Sequence, residues 1–319
     1  MLTYEEFKNT FSSKFPEVMG AEFQGYELKM MPVVKRGKSL DGFTFCPREK
    51  EEGISVMPTF YFNDIYEAYC VDEDITRSLY EISSTMKKSI ETGQFMSQDI
   101  DFTKIKKNVI AELVNTENGT DYLYDYPHRD YLNLTIVYRW VVKADETGIY
   151  SSMIDNSLME VAGLTEEDLY KYAMKNTKRI VPPSIKTFDS VVRKMMRQSG
   201  KTDYEIRKCI GSTPSDQKIY VITNKHSFRA STALLFKDVL CSIAQKVESD
   251  YYVVPTSVNE SLIVPVKAGI EPLRLQEMLI DSNQMFCGED DQILSNTIYF
   301  FDSDKSKLML FDFGDVRVG

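Results

Sequence analysis

The sequence predicts an α+β protein: antiparallel sheets built from repeated ββα-type units with packed helices. Three observations carry this reading. Between Lys218 and Lys267, apolar runs and turns follow one another as strand, strand, helix, strand, strand. A strand–turn–strand–helix order recurs near residues 22–69 (with an added strand), 132–163 and 219–247. The links inside these pairs are short, which hairpins permit and parallel pairs do not.

Taken in order, Thr3 and Glu6 make a capping-box start for a helix to about residue 13, and Phe7, Phe11 and Phe15 repeat at core spacing. Residues 22–34 read as a strand, 35–39 as a basic turn and 40–46 as the hairpin partner. A third strand is expected at 54–62, running into a helix from Asn63. A second helix, 72–90, carries Ile75, Leu79, Ile82 and Met86 on one side. Asp72, Glu73 and Asp74 lie in its first turn, where the helix dipole favours acids, so they are read as helix-start electrostatics and not as a metal cluster.

Residues 101–114 read as an amphipathic helix and 115–131 as a long, tyrosine-rich loop. Residues 132–142 are the most apolar strand, with Trp140 inside it and Arg139 interrupting it; 149–154 pair back. Of the two helices that follow, the second opens with Leu164, Thr165 as N-cap and Asp168 at N3, and stops at Pro182–Pro183. Residues 185–198 read as one helix with Ile185, Phe188, Val192 and Met195 on one face. That spacing makes Met195 and Met196 core residues. Residues 199–215 read as a linker.

A strand at 219–223, a turn at 224–227, a strand at 231–236, a helix at 238–247 and a hairpin of 251–255 with 262–266 come next. Pro272 starts a helix reaching about residue 286, and 297–301 with 308–313 close the chain as a hairpin. The regions implied are an N-terminal α+β region (1–120), a central hairpin-plus-helices region (121–199) and a C-terminal ββαββαββ region (216–319).

A chain of 319 residues suits about two domains and buries enough surface to need no metal or disulfide staple. Its 43% hydrophobic and 27% charged residues are ordinary for a globular protein, and low-complexity tracts are missing. A net charge of −10 argues against nucleic acid, because phosphate neutralisation needs a basic surface. The basic runs Lys104–Lys107 and Arg193–Lys208 each sit beside acids and read as solvated helix faces. Five cysteines, none at Cys-x-x-Cys spacing, suit reduced thiols. Two histidines, His128 and His226, leave little for a zinc site, so no metal or cofactor is expected. The amino terminus lacks the apolar core of a signal peptide, and no apolar run is long enough for a bilayer, so a cytoplasmic protein with no membrane association is expected.

The most unusual segment is 124–131, where Tyr124, Tyr126 and Tyr131 surround His128 and Arg129. A histidine there could serve as a general base with Arg129 holding an anion. The plainer reading is that His128 and Arg129 pair with Asp125 or Asp130 and fasten the loop. Residues 255–260 are the second candidate: Ser257 lacks a Gly-x-Ser-x-Gly elbow, and serine and asparagine are ordinary hairpin-turn residues. Walker A, dinucleotide, His-Glu-x-x-His and EF-hand patterns are all missing.

At four places the chain resembles a bacterial family known as domain of unknown function 5688. These are Tyr126-Pro127-His128-Arg129-Asp130-Tyr131 with the apolar strand to Arg139, residues 220–225, residues 252–257 with Glu260, and Ile293-Leu294-Ser295-Asn296 with Tyr299. The C-terminal half is also similar in layout to domain of unknown function 1444. The resemblance implies a cytoplasmic protein of anaerobic Gram-positive bacteria, carried with mobile genetic elements, with no activity attached. This chain has Asn259 where the resemblance leads one to expect histidine before Glu260. A His–Glu function at that hairpin would be missing here.

These readings favour a binding protein without enzymatic chemistry, its partner another protein, with Tyr124, Tyr126, His128, Arg129, Tyr131 and Glu260 as binding residues. The alternative is a hydrolase or transferase using His128 with a carboxylate such as Glu260. A nucleic-acid-associated role comes third and requires the two basic runs to merge into one face.

Overall fold

The capping box read at the start of the chain forms: Thr3 Oγ1 accepts from the Glu6 N–H and the Glu6 carboxylate accepts from the Thr3 N–H. The computed structural model describes residues 1–35, 38–48, 59–91, 103–116, 121–145, 148–211, 213–285 and 293–314. The chain divides into two units, Met1–Asp101 and Phe102–Gly319.

In the first unit, α1 (Tyr4–Met19) buries Phe7, Phe11, Phe15 and Met19 completely. A 3-10 turn at Ala21–Phe23 delays the strand expected from residue 22. β1 (Tyr26–Lys35) and β2 (Lys38–Pro47) form a hairpin in register from Tyr26↔Pro47 to Lys35↔Lys38. The short β3 (Phe60–Tyr61) pairs with β2, and the remainder of the strand expected at 54–62, up to residue 58, lies outside the described residues. α2 (Phe62–Asp72) and α3 (Ile75–Glu91) follow. The acids expected in the first turn of one helix over 72–90 instead straddle a junction: Asp72 ends α2, Glu73 is its left-handed C-cap, and Asp74 Oδ1 accepts from the Thr76 and Arg77 N–H groups and so caps α3. Phe11, Phe15, Phe43, Phe45 and Phe62 meet in one core, with Phe11 edge-on to Phe62 and Phe15 edge-on to both Phe43 and Phe45. Each such ring stabilises the fold by about 1.5–3 kcal/mol through burial.

In the second unit the helix expected at 101–114 is replaced by α4 (Thr103–Asn108) and β4 (Val109–Asn115). The run from Val109 to Val114 is buried without alternation, which is the pattern of a strand covered on both faces. The expected loop at 115–131 ends in β5 (His128–Tyr131). β6 (Leu134–Asp145) is the long strand at the centre: β4 lies on one side, while β5 and β7 (Gly148–Met153) share the other. α5 (Asn156–Val161) comes next, and α6 (Glu166–Ile180), capped by Thr165 and Asp168, packs on β4.

The first residues of the helix expected at 185–198 are instead an edge strand, β8 (Ser184–Thr187), before α7 (Phe188–Gln198). The expected linker contains α8 (Asp203–Cys209). β9 (Tyr220–Thr223) has β8 on one side and β11 on the other. The strand expected at 231–236 is a 3-10 helix, Ala230–Leu235, so the third ββα unit lacks its second strand. α9 (Lys237–Val247), β10 (Tyr251–Val254), β11 (Ser261–Pro265), α10 (Pro272–Met285), β12 (Tyr299–Asp302) and β13 (Lys307–Leu310) complete the unit. The six-stranded sheet runs β13-β12-β10-β11-β9-β8. Every described strand pair is antiparallel, and the fold class is α+β. Among the described residues no helix is long and apolar enough to cross a membrane.

Candidate functional site

Strand alternation sorts the residues of β5. His128 and Asp130 are exposed on one face; Arg129 and Tyr131 are half-buried on the other. Arg129 bonds Glu166 Oε2 at 2.7 Å and Glu167 Oε2 at 2.6 Å in the first turn of α6, and its guanidinium lies 4.0 Å from the centre of the Tyr170 ring. The Tyr138 hydroxyl donates to the same Glu166 carboxylate. Glu166 and Glu167 raise the Arg129 pKa further above its ordinary range, so its charge is permanent. The Tyr131 hydroxyl donates to the Leu234 carbonyl at 2.7 Å, and burial pushes its pKa up to about 12. Arg129 therefore fastens β5 to α6, and Tyr131 fastens it to the 3-10 helix.

The rest of the segment faces outward. Tyr124 is 88% exposed, with its carbonyl accepting from Asn156 Nδ2. Tyr126 is half-buried, its N–H donating to the Leu123 carbonyl. His128 Nδ1 lies 2.8 Å from the Tyr126 carbonyl, which can only accept, so Nδ1–H donates to it. Neither Asp125 nor Asp130 is the partner of Arg129; the partners lie 37 and 38 residues further on in the chain, at the N-terminus of α6.

Glu260 closes the turn between β10 and β11. Ser257 Oγ accepts from the Asn259 and Glu260 N–H groups, and Thr256 Oγ1 and the Ser257 N–H donate to the Glu260 carbonyl. Ser257 thus builds the turn, as hairpin serines do. The Glu260 carboxylate is half-buried, and burial raises its pKa above the ordinary carboxylate range. No described hydrogen bond or ion pair joins Glu260 to His128.

Beside this turn lies a polar cluster that the sequence reading passed over. Glu112 of β4 is 1% exposed and contacts Arg139 Nη1 of β6 and Arg229 Nη1, each at 3.1 Å. Arg139 also donates to Ser151 Oγ and its carbonyl. Asn224 accepts from the His226 and Phe228 N–H groups, shaping a turn in which Ser227 and Arg229 take left-handed backbone, φ 48° and 49°. The Arg229 N–H donates to Asn259 Oδ1. Ser231 Oγ, buried, donates to the Ser257 carbonyl and lies 2.7 Å from Ser261 Oγ. One signal could have found the cluster: Glu112 and Arg139 are opposite charges set inside two apolar strands, and such charges stay buried only when paired.

Asn133, in the β5–β6 turn, accepts from the Tyr299 hydroxyl and donates to Ser295 Oγ. The segment 126–139 therefore meets the segment 293–299, although more than 150 residues separate them in the chain. Among the described residues no group of three or more His, Cys, Asp or Glu side chains is placed to hold a metal. In the first unit a groove of about 360 Å³ opens between β3, α2 and α3, with the acids Asp64 and Glu81 and the apolar Phe60 and Ile65 in its wall; none of the candidate site residues read from the sequence lines it.

A family model described as a family of unknown function, DUF5688, matches residues 4–303. No curated protein and no solved structure matches the chain.

Proposed function

The chain belongs to the DUF5688 family, and we propose that it works by binding another protein through the surface around Tyr124. One observation carries the reading: an aromatic ring that is 88% exposed stands on a backbone held from both sides, by Asn156 Nδ2 on its own carbonyl and by the buried Leu123 next to it. A tyrosine anchor held this way loses little freedom on docking, so more of its contact energy becomes affinity. His128, exposed nearby, adds a polar contact, while Arg129 and Tyr131 hold the platform. The proposed setting is the bacterial cytoplasm, as part of an accessory gene set. An odd number of cysteines and the resemblance to the family support it.

The test is affinity capture from lysate of the native host with wild type beside Tyr124→Ala/His128→Ala. Arg129 is left intact because its loss would loosen β5 from α6. A partner held by wild type and lost by a variant of unchanged melting temperature supports the reading. A partner held equally by both removes the Tyr124 surface from it.

Glu260 favours a second reading, a hydrolase or transferase. Its half-buried carboxyl takes up a proton more readily than an exposed one, which suits general acid–base work. Hydrolytic or transfer activity that is present in wild type and undiminished in Glu260→Gln would dismiss it.

A further inference from the structure

α7 buries none of its residues although its sequence is strongly two-sided. Phe188, Val191, Val192 and Met195 follow the i, i+3, i+4, i+7 rule and form one apolar stripe. The inward burial expected for Met195 does not occur: it is 62% exposed, and Phe188 is exposed too. Lys194 stands exposed at the border of the stripe beside Val191. From Lys186 to Lys208 seven cations meet three carboxylates, in a chain whose net charge is −10. Among the described residues this basic stretch carries an apolar stripe of which no residue is buried.

α10 is its counterpart. Leu275, Leu279 and Asn283 face the core, while Leu273, Met278 and Ile280 are exposed on the outward side, Met278 by 54%. The charges among them are net acidic: Glu277 and Asp281 are exposed between the apolar side chains and Glu271 precedes them, against one cation, Arg274, which lies 3.4 Å from Glu277. Apolar surface alone would not select an occupant for either helix. The opposite charges do, because each face offers the apolar contacts and the sign of charge that the other lacks.

We infer that a second copy of this chain docks its acidic α10 onto the basic α7 of the first, with Lys194 facing Glu277 among the apolar side chains of a helix–helix contact. Every molecule carries both halves, so the contact needs no other component. It is independent of the Tyr124 surface, since neither helix contributes to that segment.

Sedimentation velocity on the full chain over a concentration series tests this. Wild type is expected to shift from one chain to two or more as concentration rises, and less so at high salt. Lys194→Glu and Glu277→Lys should each weaken association about tenfold or more, because like charges then face each other. Met195→Ser should weaken it through lost apolar contact alone. All three sites are exposed, and circular dichroism checks that each variant folds. The decisive arm is the equimolar mixture of the two charge variants, which should associate again because opposite charges then meet across the contact. A wild type that stays a single chain at every concentration overturns the inference. So does association that the single variants leave unchanged, or a mixture that fails to recover it.

Discussion

Glu112 is a carboxylate with almost no access to water, and two guanidinium groups offset the penalty of burying it. Removing that charge while leaving Arg139 and Arg229 in place strands two cations in a poorly solvated site. Glu112→Gln should therefore lose about 3–5 kcal/mol in urea unfolding, a large share of the roughly 5–15 kcal/mol that holds a domain. Glu260 works in the opposite sense. Burial raises its folded pKa above the unfolded one, so the folded chain binds its proton more readily. Below the unfolded pKa both states are protonated and nothing is lost. As pH rises through the folded pKa, the ionised carboxylate lowers stability. Glu260→Gln should melt higher than wild type at neutral pH, and the gap should close in acid. A gap that persists in acid would assign the gain to something other than charge. The residue scale was partly readable: Glu112 and Arg139 stand out in apolar strands, but Arg229 comes from a turn ninety residues beyond Arg139 and nothing local points to it.

Elements were readable where a few neighbours decide them. Leu164, Thr165 and Asp168 announce α6, and Thr165 Oγ1 does accept from the Asp168 N–H. Thr165→Ala should cost about 1 kcal/mol by thermal melting, with the loss confined to the α6 start. Hairpins such as β10–β11 and β12–β13 were readable for the same reason, since each lies within one short stretch, Tyr251 to Pro265 and Tyr299 to Leu310. Residues 231–236 show the limit. Their apolar run suits a strand, but β9 already has β8 and β11 on its two sides, and the Ser231 N–H is taken by the Val258 carbonyl. Without a free edge the run winds into a 3-10 helix, so pairing available in the fold overrides propensity. β4 is the converse: its apolar residues fit a helix equally well, and the open side of β6 made it a strand.

Across the whole molecule, each of the two units has its own core. Phe11 sits at the centre of the first, in ring contact with Phe7, Phe15, Phe43 and Phe62. Phe11→Ala should destabilise that unit by about 3–5 kcal/mol. Amide exchange should quicken within residues 1–101 and stay unchanged in the sheets of the second unit; equal quickening in both would show that they unfold together. The α+β class, the helix caps, the phenylalanine stripe of α1 and the hairpins were determined by the sequence alone, because each depends on side chains within one or two turns or one short loop. Only the tertiary structure decided that β4 joins β6, that Arg129 reaches α6 rather than its neighbouring aspartates, that Glu112 gathers two arginines, and that the stripe of α7 leaves Phe188 and Met195 exposed. Those outcomes depend on which distant surfaces meet, and a charge or an apolar face carries no mark of its partner until the chain has brought the two together.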